Sequence, residues 1–356
     1  MATDETIFLT GFPGFIAGRL IERLARDGGR FMLLVQPAFV ARARAEIARL
    51  AEGSGAGEDR FQLVVGDITK ERLGMSAEDY ESARGRASSV FHLAAIYDLG
   101  VERDVARRVN VGGTKNVNEF ARAVKNLRRY HYVSTCYVAG RREGVIREDE
   151  LRHDAGFRNH YEETKYLAEV EVDNLKNELP VTIHRPAVVC GDSKTGETAK
   201  YDGVYYLIKY LLMQPRLLSL ANIGNRDVRL NVVPVDFVVE AMAVLARDER
   251  AAGATVQLAD PAPLTTYELF EVIAQTLARR GSILTVPPAL VQKSLAFKVS
   301  ETLTGLPRVG APYFFLRQTY DTARARALLE PRGVACPPFH TYVNALVAFV
   351  EKRPTL

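Results

Sequence analysis

Cysteine is scarce in this chain: Cys136, Cys190 and Cys336 are the only three in 356 residues, and no two stand in a C-x-x-C spacing. An odd, widely separated set of this kind excludes a disulfide framework and a spaced zinc site. The six histidines are equally scattered, so no metal is expected. Long hydrophobic runs are missing as well. None approaches the ~20 residues that a membrane span needs, and no charged-then-apolar signal segment opens the chain, so a cytoplasmic protein is the simplest reading. There is no block of like charge. The 47 basic and 43 acidic residues leave a net charge of +4 spread along the sequence, which does not imply nucleic acid. Internal repeats are absent, and the only low-complexity stretch is the Gly/Ser-rich turn from Glu52 to Asp59.

What is present is enough apolar material, 47% of residues, for a substantial core in one large domain or two coupled ones. The first half alternates short apolar runs with amphipathic helical patterns. Strands are expected at 6–10, 30–35, 61–65, 89–93, 128–134 and 180–185, and helices at 15–27, 38–51, 102–126 and 161–178. That alternation is the signature of an α/β fold, a Rossmann-type doubly wound parallel sheet covered by helices on both faces. Right-handed crossovers would bring the strand ends to one edge, where a ligand crevice forms. Function is expected there.

The stretch Thr6–Gly18 reads as a buried strand, a tight glycine turn and a helix opening, which together make a dinucleotide grip. Gly11 can adopt a backbone conformation that a Cβ forbids, and Gly14 lets the main chain come close to a pyrophosphate. The helix from Phe15 would point its unpaired N–H groups at the phosphates. Thr10, Gly11, Phe12, Pro13, Gly14, Phe15 and Ile16 are therefore cofactor-binding candidates. Ala17 holds the third glycine position and is still small enough for the helix to pack on the strand.

The second strand ends in Gln36, roughly where an acidic residue would bind the adenosine 2′-hydroxyl in NAD-selective folds. Without that carboxylate a 2′-phosphate is not repelled, and Arg42 or Arg44 could supply positive charge to it. NADP(H) is favoured, with NAD(H) left open. Asp67, followed by Ile68, offers a carboxylate at the third strand end suited to an adenine amino group. His92-Leu93-Ala94-Ala95 presents small residues after the fourth, consistent with backbone lying against the cofactor.

The strongest chemical constellation joins a strand ending in Ser134-Thr135 to Tyr161-x-x-x-Lys165. Four residues apart on a helix, Tyr161 and Lys165 share a face, so an ammonium can lie near the phenol and favour its ionised form. Tyr161 then becomes a usable proton donor or acceptor closer to neutral pH, and Thr135 would hydrogen-bond the reacting oxygen. A second Tyr-x-x-x-Lys, Tyr205 to Lys209, sits in an apolar pattern with no Ser/Thr-bearing strand before it. It reads as a packing or substrate-lining helix.

These elements, together with Gly66-Asp67, Asn110-Val111-x-Gly113-Thr114 and Arg185-Pro186, resemble an extended short-chain dehydrogenase/reductase over essentially the whole chain. The segment Arg185–Thr198 followed by Asp202–Tyr206 is similar to the thioester-reductase and fatty acyl-CoA reductase branch, whose members reduce acyl thioesters with NADPH. By that resemblance Thr135, Tyr161 and Lys165 are catalytic, with Lys165 also binding the nicotinamide ribose. It also places Asn110 near the active site and Ala94, Ala95, Pro186 and Val188 against the cofactor. Gln36 stands where these reductases often carry arginine, and the resemblance leaves a homodimer through helices such as 102–126 and 161–178 open.

The remainder is expected to complete the sheet at 254–259 and to build a smaller, discontinuous substrate-binding cap. The division is 1–191 with 229–262 for the NAD(P)-binding domain, and 192–228 with 263–356 for the cap. Tyr97, Tyr205, Tyr206, Phe314 and Phe315 would give a closed pocket an aromatic lining if they face inward. Val291 to Leu303 is amphipathic enough for peripheral membrane contact, although a packed cap helix explains the pattern better. The expected function is an NADP-dependent reductase of a hydrophobic, acyl thioester or aldehyde substrate. Alternatives are an alcohol/ketone oxidoreductase of sterol-like or 3-oxoacyl lipids, a sugar-nucleotide epimerase, and a nucleotide-sensing scaffold that has lost turnover.

Overall fold

Short β-branched and aromatic runs place seven parallel strands side by side: β1 (Thr6–Thr10), β2 (Arg30–Val35), β3 (Phe61–Val65), β4 (Ser89–His92), β5 (Arg129–Val133), β6 (Val181–Pro186) and β7 (Thr255–Leu258). The computed structural model describes residues 5–213, 220–279, 281–295 and 310–356. Strand order is β7-β6-β5-β4-β1-β2-β3, with Ile7 opposite both Phe31 and Ser89. The chain winds outward from β1 to β3, then returns to the other side of β1. The direction of winding therefore reverses between β1 and β4, and a crevice opens beyond their C-terminal ends.

Alternation of side chains across the pleat gives the sheet two apolar faces. Phe31, Leu33 and Val35 meet α1 (Phe15–Ala25), α2 (Val40–Ser54) and a later helix, while Met32 and Leu34 face the opposite core. That second core is roofed by α3 (Ala77–Arg86), α4 (Gly113–Ala123) and α5 (His160–Asp173). Fully burying each large apolar side chain contributes about 1.5–3 kcal/mol, so both faces must be covered for the sheet to persist. The polar α3, with only Ala83 buried, has no apolar stripe for sequence periodicity to detect. It is set instead by Ser76, whose hydroxyl accepts the Asp79 N–H at 3.0 Å.

A third cluster unites α6 (Val204–Met213), α8 (Thr266–Thr276) and α9 (Val343–Lys352) around Tyr205, Phe270, Tyr342 and Leu346. Between α6 and α8 in the chain, α7 (Val235–Leu245) packs on the sheet beside α1. Core membership crosses the sequence division in both directions. Ala325, Leu328, Leu329 and Val334 pack with the sheet, whereas Val188, Cys190, Leu230 and Val232 pack with the cap helices. Cross-links explain the first group. Glu148 accepts backbone N–H groups from Gln257, Arg324 and Ala325, and the Gln257 amide donates to the carbonyls of Ile146 and Asp321. Of the Val291–Leu303 amphipathic segment, only the part within the helix Pro288–Leu295 falls in the described residues. Among those residues no helix is long and apolar enough to cross a membrane.

Candidate active site

The end of β1 is built for close approach. Gly11 has φ +96°, and a Cβ there would lie 2.8 Å from the Ala94 nitrogen; one on Gly14 would lie 2.6 Å from the Gly11 carbonyl. The Gly14 N–H donates to Gly11 O at 2.8 Å, closing the turn. Gly14 then caps α1 with no side-chain hydrogen bond, and the first turn carries no acidic residue. The positive end of the helix dipole and its unpaired N–H groups are thus left for an anion, which fits a pyrophosphate. Behind the turn, Thr10 Oγ1 contacts His92 Nδ1 at 2.8 Å and accepts the Ala94 N–H at 3.2 Å, while His92 Nε2 contacts Thr114 Oγ1 at 3.0 Å. Burial pushes His92 down to about 3, so the ring is neutral and ties β1, β4 and α4 together.

From this turn a cleft of about 680 Å³ runs in two directions. Toward β2 and β3 it is bordered by Gln36, Phe39, Arg42, Asp67 and Ile68. Burial tends to raise the Asp67 carboxyl, but hydrogen bonds from the Thr69 N–H at 2.9 Å, the Thr69 hydroxyl at 2.8 Å and the Gln36 side chain outweigh it and hold it below the usual range. Arg42 lines the cleft and Arg44 does not. Two residues along a helix turn the side chain roughly 200° away, so Arg44 projects from a different face of α2.

Toward β5 and β6 the cleft ends at Thr135, Tyr161 and Lys165. Two adjacent hydroxyls follow strand β5, and both residues line the cleft. Ser134 donates to buried Glu169, which also holds Arg185 at 2.6 Å, whereas Thr135 Oγ1 accepts the Tyr137 N–H at 3.2 Å. Helix α5 is started by Asn159, whose side chain accepts the Glu162 N–H at 3.0 Å. That register presents Tyr161 and Lys165 to the cleft and buries Glu162 under the Tyr313 hydroxyl at 2.7 Å. Both the Thr135 and Tyr161 side chains line the cleft. Lys165 Nζ donates to the Tyr132 hydroxyl at 2.9 Å and to Val133 O at 2.8 Å.

The electrostatics depart from the sequence expectation. Burial raises the Tyr161 phenol above its ordinary value, with the Thr135 hydroxyl working against it, and Lys165 is not among the groups that depress it. Lys165 itself is driven down to about 7 by burial, although Glu169 pulls it back up. The ammonium is engaged by Tyr132 and Val133 rather than by the phenol. At this end the proton-carrying group with a near-neutral pKa is the lysine.

Asn110 is buried but does not line the cleft. Its Oδ1 accepts the Ile96 N–H at 2.8 Å, and its Nδ2 donates to Thr164 Oγ1 at 3.0 Å. It sits in the π-helical segment Arg107–Gly112 and ties the cleft-lining Ile96 to α5. Gly11 to Ile16, Thr10, Ala94, Ala95, Pro186 and Val188 all line the cleft, as does Tyr97. Tyr205 does not. Its hydroxyl accepts the Gly191 N–H at 2.8 Å inside the cap core, and Tyr206, Phe314 and Phe315 also pack away from the cleft. Sequence reasoning missed Tyr137, Lys200 and Asp202 in the lining. The Tyr137 position, two residues after Thr135, was legible; the other two reach the site only through the fold of the cap.

A parallel sheet of this order, with a tyrosine and a lysine brought from one helix to the far end of a dinucleotide cleft, is that of an extended short-chain dehydrogenase/reductase. A family model described as male sterility protein matches residues 9–242, and the chain belongs to that family. The fatty acyl-CoA reductase wat of Drosophila melanogaster is 26% identical over 281 residues, covering 69% of this chain and 54% of that protein. The glycine betaine reductase ATRR of Emericella nidulans is 26% identical over 289 residues, 75% of this chain and 22% of the other. The chain thus spans about half or less of the length of these relatives. Among solved structures, the terminal R domain of the myxalamid PKS-NRPS pathway superposes with a TM-score of 0.82 at 24% identity, covering 99% of this chain and 92% of that one.

Proposed function

We propose that the protein is an NADP-dependent reductase of an acyl thioester, with Thr135, Tyr161 and Lys165 as the reacting constellation. The observation that carries this reading is the convergence of Thr135, Tyr161 and buried Lys165 on the same cleft as the α1 terminus. When bound, a reduced nicotinamide supplies the hydride. The protein's own groups hold the substrate: the two hydroxyls converge on a carbonyl oxygen and stabilise the charge that grows on it. A phenol kept protonated by burial is suited to donate its proton to that oxygen, giving a hemithioacetal that breaks down to aldehyde and thiol. Lys165, poised near neutrality, is suited to return a proton to the site. Arg42 beside the uncharged Gln36 favours a 2′-phosphate over a bare ribose.

An acyl substrate is supported by the apolar residues Ile96, Val188, Val189 and Ala199, which line the same cleft as Tyr161. The fatty acyl-CoA reductase relative points the same way. The test is NADPH consumption with dodecanoyl-CoA, NADH in parallel, and identification of the product. Aldehyde formed with NADPH supports the reading. Absence of turnover with dinucleotide binding intact refutes it in favour of an alcohol/ketone couple.

A further inference from the structure

Tyr132 does not line the cleft, yet it touches one of the reacting groups twice. Its hydroxyl accepts a hydrogen bond from Lys165 Nζ at 2.9 Å, and the same nitrogen lies 4.4 Å from the centre of its ring. Alternation along β5 turns Tyr130 and Tyr132 to the face roofed by α4 and α5, where both are fully buried. Tyr130 gives its hydroxyl proton to Asn118 at 2.8 Å, whereas the Tyr132 oxygen serves the lysine. A buried ammonium needs acceptors for its N–H groups, and the second one here is the Val133 carbonyl at 2.8 Å. The third N–H has no acceptor among the described residues, on a side chain that lines the cleft.

The charged and titratable groups around the lysine give that hydroxyl its weight. One turn further along α5 stands Glu169, but its oxygens are taken: Oε1 accepts Arg185 Nε at 2.8 Å and Nη2 at 2.6 Å, and Oε2 accepts the Ser134 hydroxyl. It acts on Lys165 through space alone. On β6, the Arg185 charge is met by the same carboxylate. One turn back on α5, burial keeps the Tyr161 phenol protonated. On β4, His92 stands opposite Tyr132 in register with its ring 5.6 Å away, and it is neutral. In the cap, Asp202 lines the cleft and acts on Tyr161 rather than on the lysine. Two neutral oxygens therefore hold the Lys165 ammonium, and only the Tyr132 oxygen belongs to a side chain.

We propose that Tyr132 is a positioning residue: its hydroxyl holds the Lys165 ammonium at the back of the cleft and decides how readily the lysine gives up its proton. The proposal rests on the reading above for Lys165 as a reacting group, and not on the identity of the substrate. The test is acetylation of Lys165 by acetic anhydride as a function of pH, on the full dinucleotide-free chain, read by mass spectrometry for the native protein, Tyr132→Phe and Tyr132→Leu. Only the neutral amine reacts. In the native protein the midpoint of labelling is expected at about 7. Tyr132→Phe keeps the ring and removes the hydroxyl, which should lower the midpoint by about one pH unit. Tyr132→Leu removes both and should lower it further, and either variant suffices if the other does not fold. An unchanged midpoint overturns the proposal and leaves the reductase reading standing. A role confined to packing would raise the labelling rate at every pH without moving the midpoint, which overturns it equally. Turnover of NADPH with dodecanoyl-CoA supplies the second readout. A one-unit shift makes Tyr132→Phe about eightfold slower than the native protein at about pH 7.5 and nearly equal to it at about pH 5.5. A shifted labelling midpoint with parallel turnover profiles sustains the hold of Tyr132 on the lysine and refutes the reading in which Lys165 returns the proton. Absence of turnover refutes that reading alone, since the labelling needs no substrate.

Discussion

Replacing Lys165 by methionine should change how stability depends on pH, and the size of the effect follows from its burial. The side chain is 3% exposed, and burial brings the ammonium from 10.5 to about 7. In the unfolded chain the lysine keeps its proton to the ordinary value, so between those limits the unfolded state binds more protons than the native one. Stability therefore rises with pH across this window and is lost as pH falls through about 7. At about 1.4 kcal/mol per pH unit the native protein forgoes on the order of 5 kcal/mol below the window. Lys165→Met removes that term. It also leaves the Tyr132 hydroxyl and the Val133 carbonyl without this donor, a loss of about 1 kcal/mol each that does not vary with pH. Urea unfolding of both proteins at about pH 6.5 and about pH 9 should show the difference in their stabilities shifting by roughly 2–3 kcal/mol, in favour of the methionine variant at the lower pH. Parallel stability–pH curves for the two proteins would refute the reasoning, because a lysine titrating at its ordinary value contributes no such slope.

Tyr161→Phe should lose roughly 10²–10⁴ of turnover while NADPH binding, read by fluorescence, stays intact; unchanged turnover would remove the phenol from the mechanism. Arg42→Ala should raise the KM for NADPH about tenfold and leave NADH unaffected, whereas Arg44→Ala should change neither, since that side chain does not line the cleft. Equal effects from the two arginines would overturn the assignment of Arg42. Asn110→Ala should cost about 1–3 kcal/mol in urea unfolding by stranding the Ile96 N–H and Thr164. A collapse of turnover with stability unchanged would instead put Asn110 in direct contact with substrate.

The periodicity of the chain determined the sheet, because each parallel strand is buried on both faces and must be an apolar run whatever surrounds it. Gly11 and Gly14 were equally legible, since only a residue without a Cβ satisfies those turns, and the four-residue spacing of Tyr161 and Lys165 alone puts them on one helical face. Helix α3 was not legible because it buries one alanine and depends on a cap rather than a stripe. The tertiary structure decided the rest. It engaged Ser134 with buried Glu169, and it separated Arg42 from Arg44 by the turn of one helix. It withdrew Tyr205 into the cap core and brought Lys200 and Asp202 to the site. It also reversed the expected lysine–tyrosine electrostatics, because a pKa depends on burial and on hydrogen-bond partners far apart in the chain, and these exist only once the chain has folded.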